Sequence, residues 1–223
     1  MFIQNMVNNQ MFTILFEKAI LVGSSGDLLN KKSADFINSF PVVIRMNDSP
    51  IHKFETDVGN KTTIRIVNFR GIGNVLNPKF LKEFINTEYL ILSTNNQNDK
   101  YKFMELSKLF PNLKLYIFNS DSIQYNDTLF KKYTNRDRKQ TGAWLTTGWM
   151  SIFFMLNHVK EKHIIGFGGE YADSKYHYYS KSKLTQKDYY IEHEYSPNGH
   201  RFITEKDVFI KWIKDYNLIF HKL

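Results

Sequence analysis

Lys18-Ala19-Ile20-Leu21-Val22-Gly23-Ser24-Ser25-Gly26 decides how this chain is read. A short apolar run that breaks into a Gly/Ser turn is the pattern of a buried strand, not of a helix. The pattern recurs. Strands are expected over 42–45, ending at the polar turn Asn47-Asp48-Ser49-Pro50, and over 62–67, 89–93, 114–118, 163–167 and 218–221. Helical spacing is expected over 78–85, 98–110, 147–159 and 205–216, with a further helix starting at 24–29. Thr146 and Thr147 supply a cap, Trp149, Ile152, Phe153, Met155 and Leu156 a core face, and Val208, Phe209, Trp212 and Ile213 a second apolar face. Strands alternating with helices predict an α/β fold: a Rossmann-like, mainly parallel sheet flanked by helices. Ligands of such sheets bind beyond the carboxyl ends of the strands. Gly23 to Gly26, Asn47, Ser93-Thr94-Asn95, Asn119 and Gly168 all follow expected strands, so they should gather on one edge. Residues 169–199 are polar and Tyr-rich with few periodic features, as in a functional or mobile loop.

The 223 residues suit one large domain or two small ones sharing a core. With no cysteine, the chain has neither a disulfide nor a thiolate metal site. Residues 1–16 lack a basic segment followed by a continuous apolar run, so no secretory leader is expected, and no stretch approaches the ~20 apolar residues of a spanning helix. The expected location is the cytoplasm. The net charge of +8 suits an anionic substrate, or peripheral membrane contact through basic residues. No nucleic-acid motif accompanies it, and nucleic acid is not an expected partner.

The turn Gly23-Ser24-Ser25-Gly26 offers amides and hydroxyls to a phosphate, but no Lys-Ser/Thr follows as in a Walker loop. Arg45 suggests a structural pair with Asp48 or Asp57. The Asn47 amide can donate to a phosphate and accept from a ribose or base. Thr146-Thr147-Gly148 caps a helix whose N-terminus also suits an anion. His177 and His200 are the candidate catalytic side chains, since imidazole exchanges protons near neutrality. His193 is the rival. With His177 and Glu192 or Glu194 it makes a conceivable metal site, but the spacing matches no standard zinc motif, so no metal is expected.

Taken in order, these motifs resemble the animal-type sialyltransferases, glycosyltransferase family twenty-nine. The long motif resembles residues 19–67, through Val22 to Leu28, Val42 to Pro50 and Phe54 to Thr63. The short motif resembles residues 145–170, including Gly166-Phe167-Gly168. His177-Tyr178-Tyr179 resembles the third motif, and His200 with Glu205 the last. The resemblance implies a single domain over 1–223 with a variant GT-A fold, nucleotide-binding motifs at 19–67 and 145–170, and an acceptor and catalytic segment at 169–205. It implies an inverting, metal-independent transfer of sialic acid from CMP-sialic acid to a glycan hydroxyl, with no cofactor. Asn47 would hold the nucleotide with Ser24 and Ser25 nearby. Thr146, Thr147, Gly148 and Gly168 would line the CMP donor site. His177 would donate to the leaving phosphate, His200 would be the general base, and Tyr178 and Glu205 would support. Ser24 stands where the family usually has Asn, Leu145 where it has Pro, and Ser180 where an acid often follows the third motif. Ala19 and Val159 occupy the positions of the family's bridging disulfide. CMP-Kdo is the alternative donor, and a non-catalytic glycan- or nucleotide-binding module on the same fold is the alternative function.

Overall fold

A computed structural model describes residues 2–6, 8–68, 86–94, 97–168, 174–182 and 184–223. Eight strands form one sheet: β1 (Ile3–Asn5), β2 (Phe16–Val22), β3 (Val42–Met46), β4 (Ile64–Val67), β5 (Tyr89–Leu92), β6 (Lys114–Phe118), β7 (Val159–Ile165) and β8 (Leu218–His221). Their order is β1-β6-β5-β4-β3-β2-β7-β8, and only β1 runs antiparallel. Strands β3, β4 and β5 are buried along their whole length, because helices cover both faces of a parallel sheet. From β2 the chain builds strands in one direction as far as β6, then returns to place β7 on the other side of β2. The crevice between β2 and β7 is therefore the topological switch point, where such sheets bind ligands.

Among the described residues the helices are α1 (Ala34–Asn38), α2 (Glu55–Val58), α3 (Gln97–Leu109), α4 (Ser120–Thr134), α5 (Thr147–His158), α6 (Gln186–Glu194) and α7 (Phe202–Asp215). Helix α5 is apolar nearly all round and sits in the core, with Trp149, Ile152, Phe153, Phe154 and Met155 buried. The Trp149 ring lies 4.5 Å from Trp212 of α7 at a tilt of 53°, and its indole N–H donates to Asn126 of α4 at 2.7 Å. Ala19 and Val159, at the disulfide positions of the resemblance, are both buried in this cluster. No described helix is long and apolar enough to cross a membrane.

Four expectations change. The helix at 24–29 is only a three-residue 3-10 turn, Gly26–Leu28. Strand β7 starts and ends earlier than expected, so Gly166 to Gly168 form a turn. Residues 169–199 contain helix α6, closed by a capping box between Thr185 and Asp188. Arg45 donates to the carbonyls of Val58, Gly59 and Lys61, whereas Asp57 accepts the amides of Asn30 and Lys32. The expected helix over 78–85 and Asn95 lie outside the described residues.

Candidate active site

The turns after β2, β3, β4 and β7 meet on one sheet edge, as the strand pattern requires. Their closeness rests on glycine. A Cβ on Gly23 would lie 2.0 Å from the Gly166 carbonyl oxygen, so only bare backbone permits the crossing. There the Gly23 amide donates to Ile165 O, Ser25 to Gly166 O and Gly26 to Lys175 O. These three amides hold β2, β7 and the segment before His177 together. The amide cradle expected at 24–29 is therefore not formed.

The side chains of the turn are also engaged. The Ser25 hydroxyl oxygen accepts from the Asp27 amide and from Gln186 Nε2, and the Ser24 and Ser49 hydroxyls share a hydrogen bond at 3.0 Å. Gln186, 1% exposed, also donates to Ser174 Oγ at 2.7 Å. Gly168 has φ +72°, and a Cβ there would meet Gln186 Oε1 at 2.2 Å.

Asn47, in the left-handed region at φ 46°, is locked by its neighbours. Its Oδ1 accepts the Asn68 amide at 3.0 Å, which fixes the side-chain orientation and aims Nδ2 at Thr147 Oγ1, 3.2 Å away. Arg65, buried in β4, donates to the carbonyls of Asn47 and Ser49 and braces this turn from beneath. Asn68 Nδ2 also reaches Thr147 Oγ1 at 3.2 Å. With two donors on its lone pairs, the Thr147 hydroxyl is left as a donor. Its 3.5 Å approach to Asn47 Oδ1 is too long to hold that proton firmly.

Thr146 caps α5 by accepting the Trp149 amide. The amides of Thr147 and Gly148 in the first turn then have no intrahelical acceptor, which makes this end the anion-seeking one. Glu205 sets Thr146 from behind: Thr146 donates its amide to Oε1 at 2.9 Å and its hydroxyl to Oε2. Burial pushes the Glu205 carboxyl up to about 8, so it is mostly uncharged at pH 7. Its position behind the helix end makes it an orienting group. A carboxyl raised from 4.5 to about 8 favours the fold fully below 4.5 and loses that contribution as pH rises through 8. Glu205→Gln is accordingly expected to keep the fold and to lessen the loss of thermal midpoint between pH 4.5 and 8. Glu205→Ala should cost about 1–3 kcal/mol by leaving the Thr146 groups unpaired. Equal melting curves for the two variants would refute this orienting role.

The two histidines approach the edge from separate segments. Tyr178 anchors the first, its amide donating to Ser24 O at 2.9 Å and its hydroxyl to Pro50 O at 2.6 Å. His177 lies between the rings of Tyr176, at 3.9 Å, and Tyr179, at 5.0 Å. Burial lowers its imidazole to about 4, and among the described residues its buried Nδ1 has no hydrogen-bond partner. His200 pairs with Trp144 in a β-bridge. Its Nδ1 lies 2.8 Å from the Trp144 carbonyl oxygen, and a carbonyl only accepts, so Nδ1 carries the proton and Nε2 the lone pair. Arg201 secures this corner through the carbonyls of Thr141, His193 and Ser196.

The comparisons with known proteins follow the same outline. The sequence model of Glycosyltransferase family 29 (sialyltransferase) matches residues 4–214. The chain belongs to glycosyltransferase family 29, the sialyltransferases. Human alpha-N-acetylgalactosaminide alpha-2,6-sialyltransferase 3 is 33% identical over 90% of this chain and 71% of its own length. A second human relative, alpha-N-acetyl-neuraminyl-2,3-beta-galactosyl-1,3-N-acetyl-galactosaminide alpha-2,6-sialyltransferase, is 31% identical over 90% and 72%. A mammalian sialyltransferase crystal structure superposes with TM-score 0.60 at 22% identity, covering 93% of this chain and 69% of that one. The sialyltransferase CstII from Campylobacter jejuni does so with TM-score 0.53 at 17% identity, covering 93% and 79%. These two structures share the fold.

The remaining histidines of this sialyltransferase each have a partner. His158 reaches Ile14 O, His163 bonds His221 and Glu161, and His52 faces Glu55. His193 stacks on Tyr189 at 4.2 Å. Glu194 caps α7 by accepting the amides of Ile203 and Thr204, and no three His, Asp or Glu among the described residues are arranged to hold a metal ion. Sequence reading missed Asn68, Trp144, Tyr176, Gln186 and Phe202. Asn68 carried a usable signal, since it directly follows the strand expected over 62–67. Gln186 carried none.

Proposed function

We propose that this sialyltransferase moves sialic acid from CMP-sialic acid to a glycan hydroxyl, with inversion and without a metal ion. The observation that carries the reading is the opposed state of the two histidines. His200 presents a lone pair on Nε2, while His177 offers a buried ring nitrogen with no hydrogen-bond partner among the described residues. In the reaction His200 Nε2 takes the acceptor proton as the acceptor oxygen attacks the anomeric carbon. The bond from that carbon to the phosphate oxygen breaks, and its electron pair leaves with CMP. His177, the Thr147 hydroxyl and the amides of Thr147 and Gly148 stabilise the phosphate charge where it develops. At neutral pH His177 does this as an uncharged N–H donor, since its imidazole titrates near 4. Attack from the face opposite the leaving group inverts the centre. A monophosphate leaving group gives such a donor set one ester phosphate to hold, which supports transfer without a cation.

Asn47 and Ser24 face the nucleotide. Gly148 and Gly168 keep side chains out of its path. Trp144, 59% exposed beside His200, offers the acceptor sugar an aromatic face. The two human relatives are named for transfer to N-acetylgalactosaminides, which guides the acceptors tested.

The test is product formation by the purified chain with CMP-sialic acid or CMP-Kdo and a panel of p-nitrophenyl galactosides and N-acetylgalactosaminides. Glycoside formed from CMP-sialic acid, undiminished by EDTA, is expected. Product from CMP-Kdo alone would overturn the sugar. Activity lost to EDTA and restored by a divalent ion would overturn the metal-free mechanism. CMP binding without turnover would point to a binding module.

A further inference from the structure

His177 and His200 belong to different segments, yet a continuous series of rings joins them. Tyr176 lies 3.9 Å from His177 and 5.8 Å from Phe202, and Phe202 lies 5.3 Å from His200. Helix α6 backs the series from one side. Its Tyr189 stacks on Tyr176 at 3.7 Å, and its Tyr190 stacks on Phe202 at 5.0 Å with 14° between the planes. Both ends of α6 are tied down, Gln186 to Ser25 and Ser174, and Glu194 to the start of α7. The core clusters of the described residues include neither Tyr176 nor Phe202. Both rings are half-buried. They form a separate aromatic block whose two ends are the two histidines.

We propose that Tyr176 and Phe202 are positioning residues that set the separation of His177 from His200, so that donor cleavage and acceptor attack occur at one fixed spacing. This rests on the function proposed above. Neither ring touches a reacting atom. If the block loosens, the donor still binds and the bond to phosphate still breaks, but the acceptor oxygen is no longer held in line. Water then attacks the anomeric carbon, its proton goes to His200 or to solvent, and free sialic acid leaves with CMP. The expected signature is uncoupling, and a general loss of stability would not produce it.

The test uses the full chain with CMP-sialic acid and the panel member that the wild type glycosylates best. CMP released is compared with glycoside formed, alongside CMP affinity and thermal midpoint. Phe202→Leu and Tyr176→Leu should each lower transfer by about 10- to 100-fold, the scale of a 1 Å misplacement. They should also raise the ratio of CMP to glycoside several-fold at unchanged CMP affinity. Phe202→Tyr keeps the ring and should restore the wild-type ratio, which also covers the case in which the leucine variant does not fold. If transfer and hydrolysis fall in proportion, or if Phe202→Tyr uncouples as strongly as Phe202→Leu, the inference is overturned. A wild type that turns over no CMP-sugar overturns the function proposed above, a result separate from an unchanged ratio in an active enzyme.

Discussion

His200→Ala is expected to lower sialyl transfer by about 10²–10⁴-fold, the contribution of a positioned general base. CMP affinity should stay close to that of the wild type. The imidazole is set by a backbone contact: Nδ1–H donates to the Trp144 carbonyl, which leaves Nε2 as the acceptor. Alanine removes that lone pair together with the hydrogen bond to Trp144 O and the ring contact with Phe202. The Trp144 amide still donates to Gly199 O at 3.1 Å, so the bridge that shapes the corner survives. Thr146, Thr147 and Gly148 lie on α5, held by Glu205, and do not lean on the imidazole. Steady-state transfer with parallel CMP titration checks this. Full transfer activity in His200→Ala would remove His200 as the base, and lost CMP affinity would move it to the donor side.

His177→Ala should lower kcat by about 10²–10³-fold, the cost of deleting one preorganised donor to a developing oxyanion. The same residue carries a pH signature. Its imidazole is depressed from 6.5 to about 4 by burial, so the folded chain resists a proton that the unfolded chain accepts. The sign follows: this contribution is fully present above pH 6.5 and is lost as pH falls through 4. The loss at full protonation is at most on the order of 3 kcal/mol. His177→Ala lacks the group, so its thermal midpoint should decline less than that of the wild type between pH 6.5 and 4. Parallel acid limbs in the two proteins, or unchanged turnover in the variant, would contradict this reading. Glu205 acts in the opposite direction, its contribution being lost as pH rises from 4.5 to 8.

Much of the candidate site was legible as positions after strands. Asn47, Gly168 and the 23–26 turn follow short apolar runs, and period alone marks where those runs end. Thr146 was legible as a cap because a hydroxyl precedes an apolar helix. Helix α6 was not, because its inner face is Tyr189, Tyr190 and His193, rings with polar atoms that leave little apolar periodicity. Helix α4 was missed for a related reason. Its buried face alternates Ser122 and Asn126 with Leu129 and Phe130, and Asn126 is inside because it accepts the Trp149 indole proton. A polar residue reads as exposed until its partner, 23 residues away, is known. The anion cradle expected at 24–29 met the same obstacle: the Ser25 and Gly26 amides found the carbonyls of Gly166 and Lys175, which local sequence does not reveal.

By itself the sequence determined the alternation of strands and helices, the edge on which the turns gather, and the histidines with chemistry to offer. These follow from local patterns, since period and turn chemistry involve neighbours along the chain. Only the tertiary structure decided that β7 lies beside β2 and makes a crevice there. It also decided that Trp144 orients the imidazole of His200, that Glu205 is buried and uncharged behind Thr146, and that rings from α6 and α7 tie the two histidines together. Each of these depends on groups far apart in sequence, where register, burial and the local dielectric are set by what the folded chain brings into contact.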